Sequence, residues 1–188
     1  MIFHAEEFCK NAVVNAIRGM FSLTTDEIAP YKWHEDLKQT KISIFRANPT
    51  KVAIYPAVIV TSAVGEAPVY TYFNDHITEG DDTVTVGGKF QIDITVQVIA
   101  QSTVDKERTL NILLKGLIYV SKTVFNDYGL VLENPIRIGG ETQETYGGIT
   151  PYYSQTLDMT FYTEWEEDVG DFTELSRIDV ETTFSTQE

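Results

Sequence analysis

The sequence predicts an α+β fold: a mostly antiparallel, twisted sheet carrying an N-terminal helix and a second amphipathic helix, with a long β-hairpin and an extended C-terminal arm. Three observations predict it. Residues 89–100 alternate, with Ile92, Ile94, Val96 and Val98 on one side and Gln91, Asp93, Thr95 and Gln97 on the other, the period of a half-buried strand. Residues 103–124 switch to helical spacing, with Leu110, Leu113, Leu117, Val120 and Val124 on one stripe, flanked by Leu114 and Ile118. Residues 152–165 return to alternation, Leu157, Met159, Phe161 and Trp165 against Thr156, Asp158, Thr160, Tyr162 and Glu164. At 188 residues with 43% hydrophobic content, the chain suits one domain over 1–165 and an acidic arm over 166–188.

In chain order, Ile2, Ala5, Cys9, Val13, Ala16, Ile17 and Met20 recur at three- and four-residue steps, which predicts a helix ending near Gly19 and the following Ser-Leu-Thr-Thr. Cys9 falls on its apolar stripe and reads as a small core residue. Residues 24–37 read as a loop with a short helical turn. In 41–47, Ile42 and Ile44 share one side of a strand. Residues 55–63, Tyr-Pro-Ala-Val-Ile-Val-Thr-Ser-Ala, form a nearly continuous apolar run, the signature of a strand buried on both faces. A shorter strand is expected over 68–75. Gly87-Gly88 reads as the tip of a hairpin, where positive φ costs little, with the returning strand starting at Lys89 or Phe90.

Ser102 or Thr103 caps the second helix, and Asp105 stands where a capping box places its acid. The charges at 105–108 therefore read as a solvated first turn favoured by the helix dipole. Gly116 lowers helix propensity by about 1 kcal/mol and permits close packing, and Gly129 reads as the C-terminal cap. Two short strands are expected around Asn134-Pro135. Residues 139–148, with a glycine pair at each end, read as a loop between strands. The arm carries isolated apolar residues, Phe172, Leu175, Ile178, Val180 and Phe184, and 177–184 alternates like a strand that adds to another sheet.

The composition narrows the function classes. There are 14 basic and 28 acidic residues, a net charge of −14; from Glu164 onward nine acidic residues face one basic residue, Arg177. Such a chain lacks the clustered Lys and Arg that grip DNA phosphates. A single cysteine excludes an internal disulfide, which fits synthesis in the cytoplasm. No run approaches the roughly 18 apolar residues of a membrane span, and the N-terminus lacks the basic-then-apolar pattern of a signal peptide.

No motif of catalysis stands out. Phosphate-binding frames are missing: the junction at 99–108 has no glycine, and 139–148 has no lysine. The three histidines (His4, His34 and His76) have no ligand spacing, so neither metal nor cofactor is expected. Glu164 and Glu166 share a strand face as paired carboxylates do in glycosidases, but they begin the acidic arm and read as a solvated or subunit-facing edge. The expectation is no enzyme. The tyrosines near strand ends, such as Tyr152, Tyr153 and Tyr162, leave a carbohydrate- or receptor-binding module as an alternative.

The order of elements (N-terminal helix, the buried 55–60 strand, a long hairpin, then the strand-to-helix run 92–120) resembles the tail terminator or tail-completion proteins of the phage neck. The resemblance covers residues 1–165 in outline and excludes the arm. It implies a structural virion protein, assembled in the host cytoplasm, that forms a homo-oligomer, a hexameric ring. Its partners would be the tail tube or sheath protein and the head–tail connector. Double-stranded DNA would pass through the lumen without specific binding. Other neck, collar or baseplate subunits are alternatives. The expected subunit interface comprises Gly87, Gly88, Gln91, Asp93, Thr95 and Gln97, together with the five apolar residues of the arm.

Overall fold

The computed structural model describes residues 5–50, 52, 54–63, 76–79, 83–133, 135–146 and 150–170. Among these residues, two α-helices and eight strands form an α+β fold. The helices are α1 (Ala5–Ser22) and α2 (Thr103–Val120); the strands are β1 (Ser43–Phe45), β2 (Ala57–Ala63), β3 (His76–Glu79), β4 (Thr83–Ala100), β5 (Leu130–Leu132), β6 (Arg137–Ile138), β7 (Thr142–Tyr146) and β8 (Thr150–Gly170). One sheet runs β1-β2-β4-β8-β5, with β3 on β4 and both β6 and β7 on β8. The β2–β4, β3–β4, β5–β8, β6–β8 and β7–β8 ladders are antiparallel, and β1 on β2 is parallel. The chain divides into two compact units: Met1–Val69 with Phe90–Thr163, and Tyr70–Lys89 with Glu164–Glu188.

The first unit holds the core. Cys9, Val13, Ile17 and Phe21 of α1 and Leu110, Leu113 and Leu117 of α2 meet Val58, Val60, Ile92, Ile94, Val96 and Val98 from the sheet, with Leu157, Met159 and Phe161 beside them. The period-two rows are therefore the buried rows the sequence implies. Ala57 to Val60 are all buried, as expected for a central strand. Helix α1 continues through Gly19 and ends at Ser22, whose hydroxyl donates to the Arg18 carbonyl at 2.7 Å. The expected short turn is the 3₁₀ turn Ala29–Tyr31. At Gly116 an added Cβ would collide with the Met20 sulfur, so this glycine leaves room for the α1 side chain against α2.

Helix α2 ends differently from the sequence expectation. Ser121–Phe125 is a π-helical turn, and its wider turn shifts the inward face by one position. Phe125 is fully buried, whereas Val124, expected on the stripe, is 39% exposed. Gly129 has φ of +70° with open space around it and closes the helix as a left-handed cap.

The second unit corrects the hairpin. Among its described residues, β3 pairs antiparallel with β4, His76 opposite Gly87 and Glu79 opposite Val84. Gly87 and Gly88 therefore lie inside one continuous strand and not at a tip. The physical reason is that a glycine pair also accepts extended backbone, and pairing with β3 selects it here.

Residues 139–148 are likewise not only a loop. Thr142–Tyr146 is strand β7, paired with β8 from Thr142 opposite Ser154 to Tyr146 opposite Thr150, because Thr-Gln-Glu-Thr-Tyr tolerates an edge strand despite its flanking glycines. Strand β8 continues to Gly170, past the point where the arm was expected to begin. The strand expected over 68–75 and the arm residues Phe172, Leu175, Ile178, Val180 and Phe184 lie outside the described residues.

Candidate functional site

Because Ile92, Ile94, Val96 and Val98 turn into the core, Gln91, Asp93, Thr95 and Gln97 line the opposite face of β4. On neighbouring β8 the burial of Leu157, Met159 and Phe161 puts Thr156, Asp158, Thr160 and Tyr162 on that same face. Two reciprocal hydrogen bonds join the rows: Thr160 Oγ1 donates to Asp93 Oδ1 at 2.7 Å, and Thr95 Oγ1 donates to Asp158 Oδ1 at 2.8 Å. Each carboxylate thus has a neutral partner across the strand pair, which orients it without cancelling its charge.

These residues floor a groove of about 430 Å³, walled by Gln91 and by Glu133, Pro135 and Arg137 from the β5–β6 segment. Arg137 stands opposite Asp158 in the β6–β8 ladder. Three carboxylates (Asp93, Glu133 and Asp158) face one guanidinium, so the groove is acidic. Tyr162 feels this: burial, then the charge and hydrogen bond of Glu133, then the charge of Asp93, push its phenol above the ordinary range. The groove thus holds polar groups whose charges and hydroxyls suit recognition of a polar or cationic surface.

The other chemically suggestive positions resolve into structure. Burial pushes the Cys9 thiol up to about 12, so it stays protonated at neutral pH and is no nucleophile. His34 accepts the Asp36 amide on Nδ1 at 3.0 Å, and Asp36 in turn accepts from the Lys38 amide at 2.9 Å, which folds that loop on itself. Among the described residues no group of three or more His, Cys, Asp or Glu is arranged to hold a metal ion. Among them, too, no helix is long and apolar enough to cross a membrane.

The charged junction before α2 departs from expectation. Ser102 Oγ does accept the Asp105 amide, at a long 3.5 Å. However, the Asp105 carboxylate receives the Tyr31 hydroxyl at 2.7 Å, and Lys106 is only 1% exposed, its Nζ 2.7 Å from Glu141 Oε2. Asp105 and Lys106 are thus tied into the fold, while Glu107 and Arg108 stay exposed as read from sequence. Position 106 follows the helix cap, where charge usually means solvent, and the partner 35 residues away carries no local signal.

Of the predicted interface residues, the structure brings Gln91, Asp93 and Thr95 to one groove. Gln97 lies further along the same face, opposite Ile59, and Gly87 and Gly88 lie in the second unit. Sequence reasoning missed Glu133, Pro135 and Arg137, since alternation in so short a segment does not show which long strand receives it. The chain matches no protein-family model, and no curated protein is similar to it.

Proposed function

We propose that this protein is a structural subunit of a tailed-phage virion, a tail terminator that forms a ring at the end of the tail tube and joins it to the head connector. The observation that carries the reading is the length of two neighbouring strands. Strand β4 has 18 residues and β8 has 21, against a usual five or six; fully extended they would reach about 60 and 70 Å. A single small core does not need strands of that length, whereas a subunit that builds sheet with its neighbours does. The polar outer face at Asp93, Thr95, Asp158 and Thr160 suits contact with another protein. The net charge of −14 suits a lumen that repels phosphates and lets DNA pass.

Native mass spectrometry with negative-stain imaging at micromolar concentration tests the reading. A ring of six copies with a central hole is expected, and a monomer at that concentration overturns it. Removing residues 170–188 in the same assay asks what the arm contributes: loss of the ring assigns it to the subunit contact, and an unchanged ring removes it from the interface.

A further inference from the structure

An ammonium group is rarely taken out of water without a partner, and Lys106 of α2, 1% exposed, meets one carboxylate among the described residues, Glu141, which is itself 45% exposed. Glu141 belongs to the turn between β6 and β7. On its other side that turn is held by the Gly139 amide donating to the Thr156 carbonyl at 2.9 Å, and by Gln155 Nε2 donating to the Gly139 carbonyl at 3.0 Å. Immediately upstream, Pro135 and Arg137 form a wall of the polar groove.

We propose that Glu141, by neutralising the buried Lys106, latches the β6–β7 segment, and with it one wall of the groove, against the start of α2, and that this segment opens locally when the carboxylate is lost while the buried cation remains. The two partners differ in freedom. Lys106 cannot leave without disturbing helix α2, which is anchored by Leu110, Leu113 and Leu117. Glu141 sits on a turn at the sheet edge and can move into water. Removing the carboxylate leaves a buried cation without its ion-pair partner, a costly state that the chain relieves by opening the turn and admitting water. Removing the cation has the other result: an apolar side chain of the same length fills the site, and the turn remains closed.

Residue-resolved amide hydrogen exchange of the full chain separates these cases. In Glu141→Gln, exchange of the Gly139 amide and of the β7 ladder is expected to rise on the order of a hundredfold, with the amides of Leu113 and Leu117 at their wild-type rates. In Lys106→Met, the Gly139 amide should exchange as in the wild type. The proposal is overturned if Glu141→Gln leaves Gly139 protected, or if Lys106→Met exposes it as much. Should Lys106→Met fail to fold, the ratio of Gly139 to Leu113 exchange in Glu141→Gln decides alone.

Discussion

Substitution at the end of α2 distinguishes a regular helix from one that ends in a π turn. An uninterrupted helix places Val124 in the core stripe and Phe125 beside it. In the structure Phe125 is fully buried and Val124 is 39% exposed. The Phe125 ring stands edge-on to Phe161, with centroids 5.2 Å apart and an interplanar angle of 89°. Phe125→Ala is therefore expected to cost about 3–5 kcal/mol, of which the ring pair accounts for about 0.5–1.5 kcal/mol. Val124→Ala should stay within about 0.5 kcal/mol of wild type, since alanine's better helix propensity offsets what little burial is lost.

Equilibrium urea unfolding followed by circular dichroism, at one fixed protein concentration so that assembly does not enter the comparison, reads both values. In a thermal melt, the Phe125 variant should unfold roughly 6–20 °C lower, at about 2–4 °C per kcal/mol for a chain of this size. The reasoning is refuted if Val124→Ala costs as much as Phe125→Ala. A Phe125/Phe161 double-mutant cycle should show coupling of about 1 kcal/mol.

Two further measurements probe the core and the groove. Cys9 should resist a thiol reagent at pH 8 in the native state and react at once in guanidinium; because its folded pKa of about 12 lies above its ordinary 9.0, the unfolded thiol ionises first, so its contribution is complete below pH 9 and is lost as pH rises towards 12. Cys9→Ala should flatten that part of the stability–pH curve, and an unchanged slope would show that Cys9 does not cause it. In the groove, a Thr160→Val and Asp93→Asn cycle should give a coupling of about 1 kcal/mol, the scale of a half-exposed hydrogen bond to a charged group, while Thr95→Val combined with Asp93→Asn should be additive.

The parts of this fold legible in the sequence are those with a sustained period. Ile92 to Val98 and Leu157 to Phe161 alternate long enough to fix which side chains enter the core, and the α2 stripe from Leu110 to Leu117 does so at helical spacing. Where a local signal supports two conformations, the sequence misleads. Gly87-Gly88 serves a turn or an extended strand equally well, and pairing with His76 selects the strand. Thr142 to Tyr146 lies between glycine pairs but gains a ladder from β8. The π turn at Ser121–Phe125 has no sequence marker of its own; packing of Phe125 against Phe161 goes with it.

The candidate site obeys the same logic. Its polar residues on β4 and β8 follow from alternation, once the apolar row is assigned to the core. Their association does not follow, because Asp93 and Thr160 are 67 residues apart and Thr95 and Asp158 are 63 apart, and only the strand order β4-β8 brings them together. Two strands with polar rows could have faced water separately; side by side, each threonine serves the other strand's aspartate and the rows become one surface. That exchange leaves the carboxylate charge in place, so the surface stays acidic while its side chains are held in register. An oriented acidic face has greater use in recognising a partner than in filling a solvent boundary, since solvation alone requires no fixed geometry. The paired threonines and aspartates therefore support the assembly reading more directly than the overall charge of the chain, which solubility alone would explain.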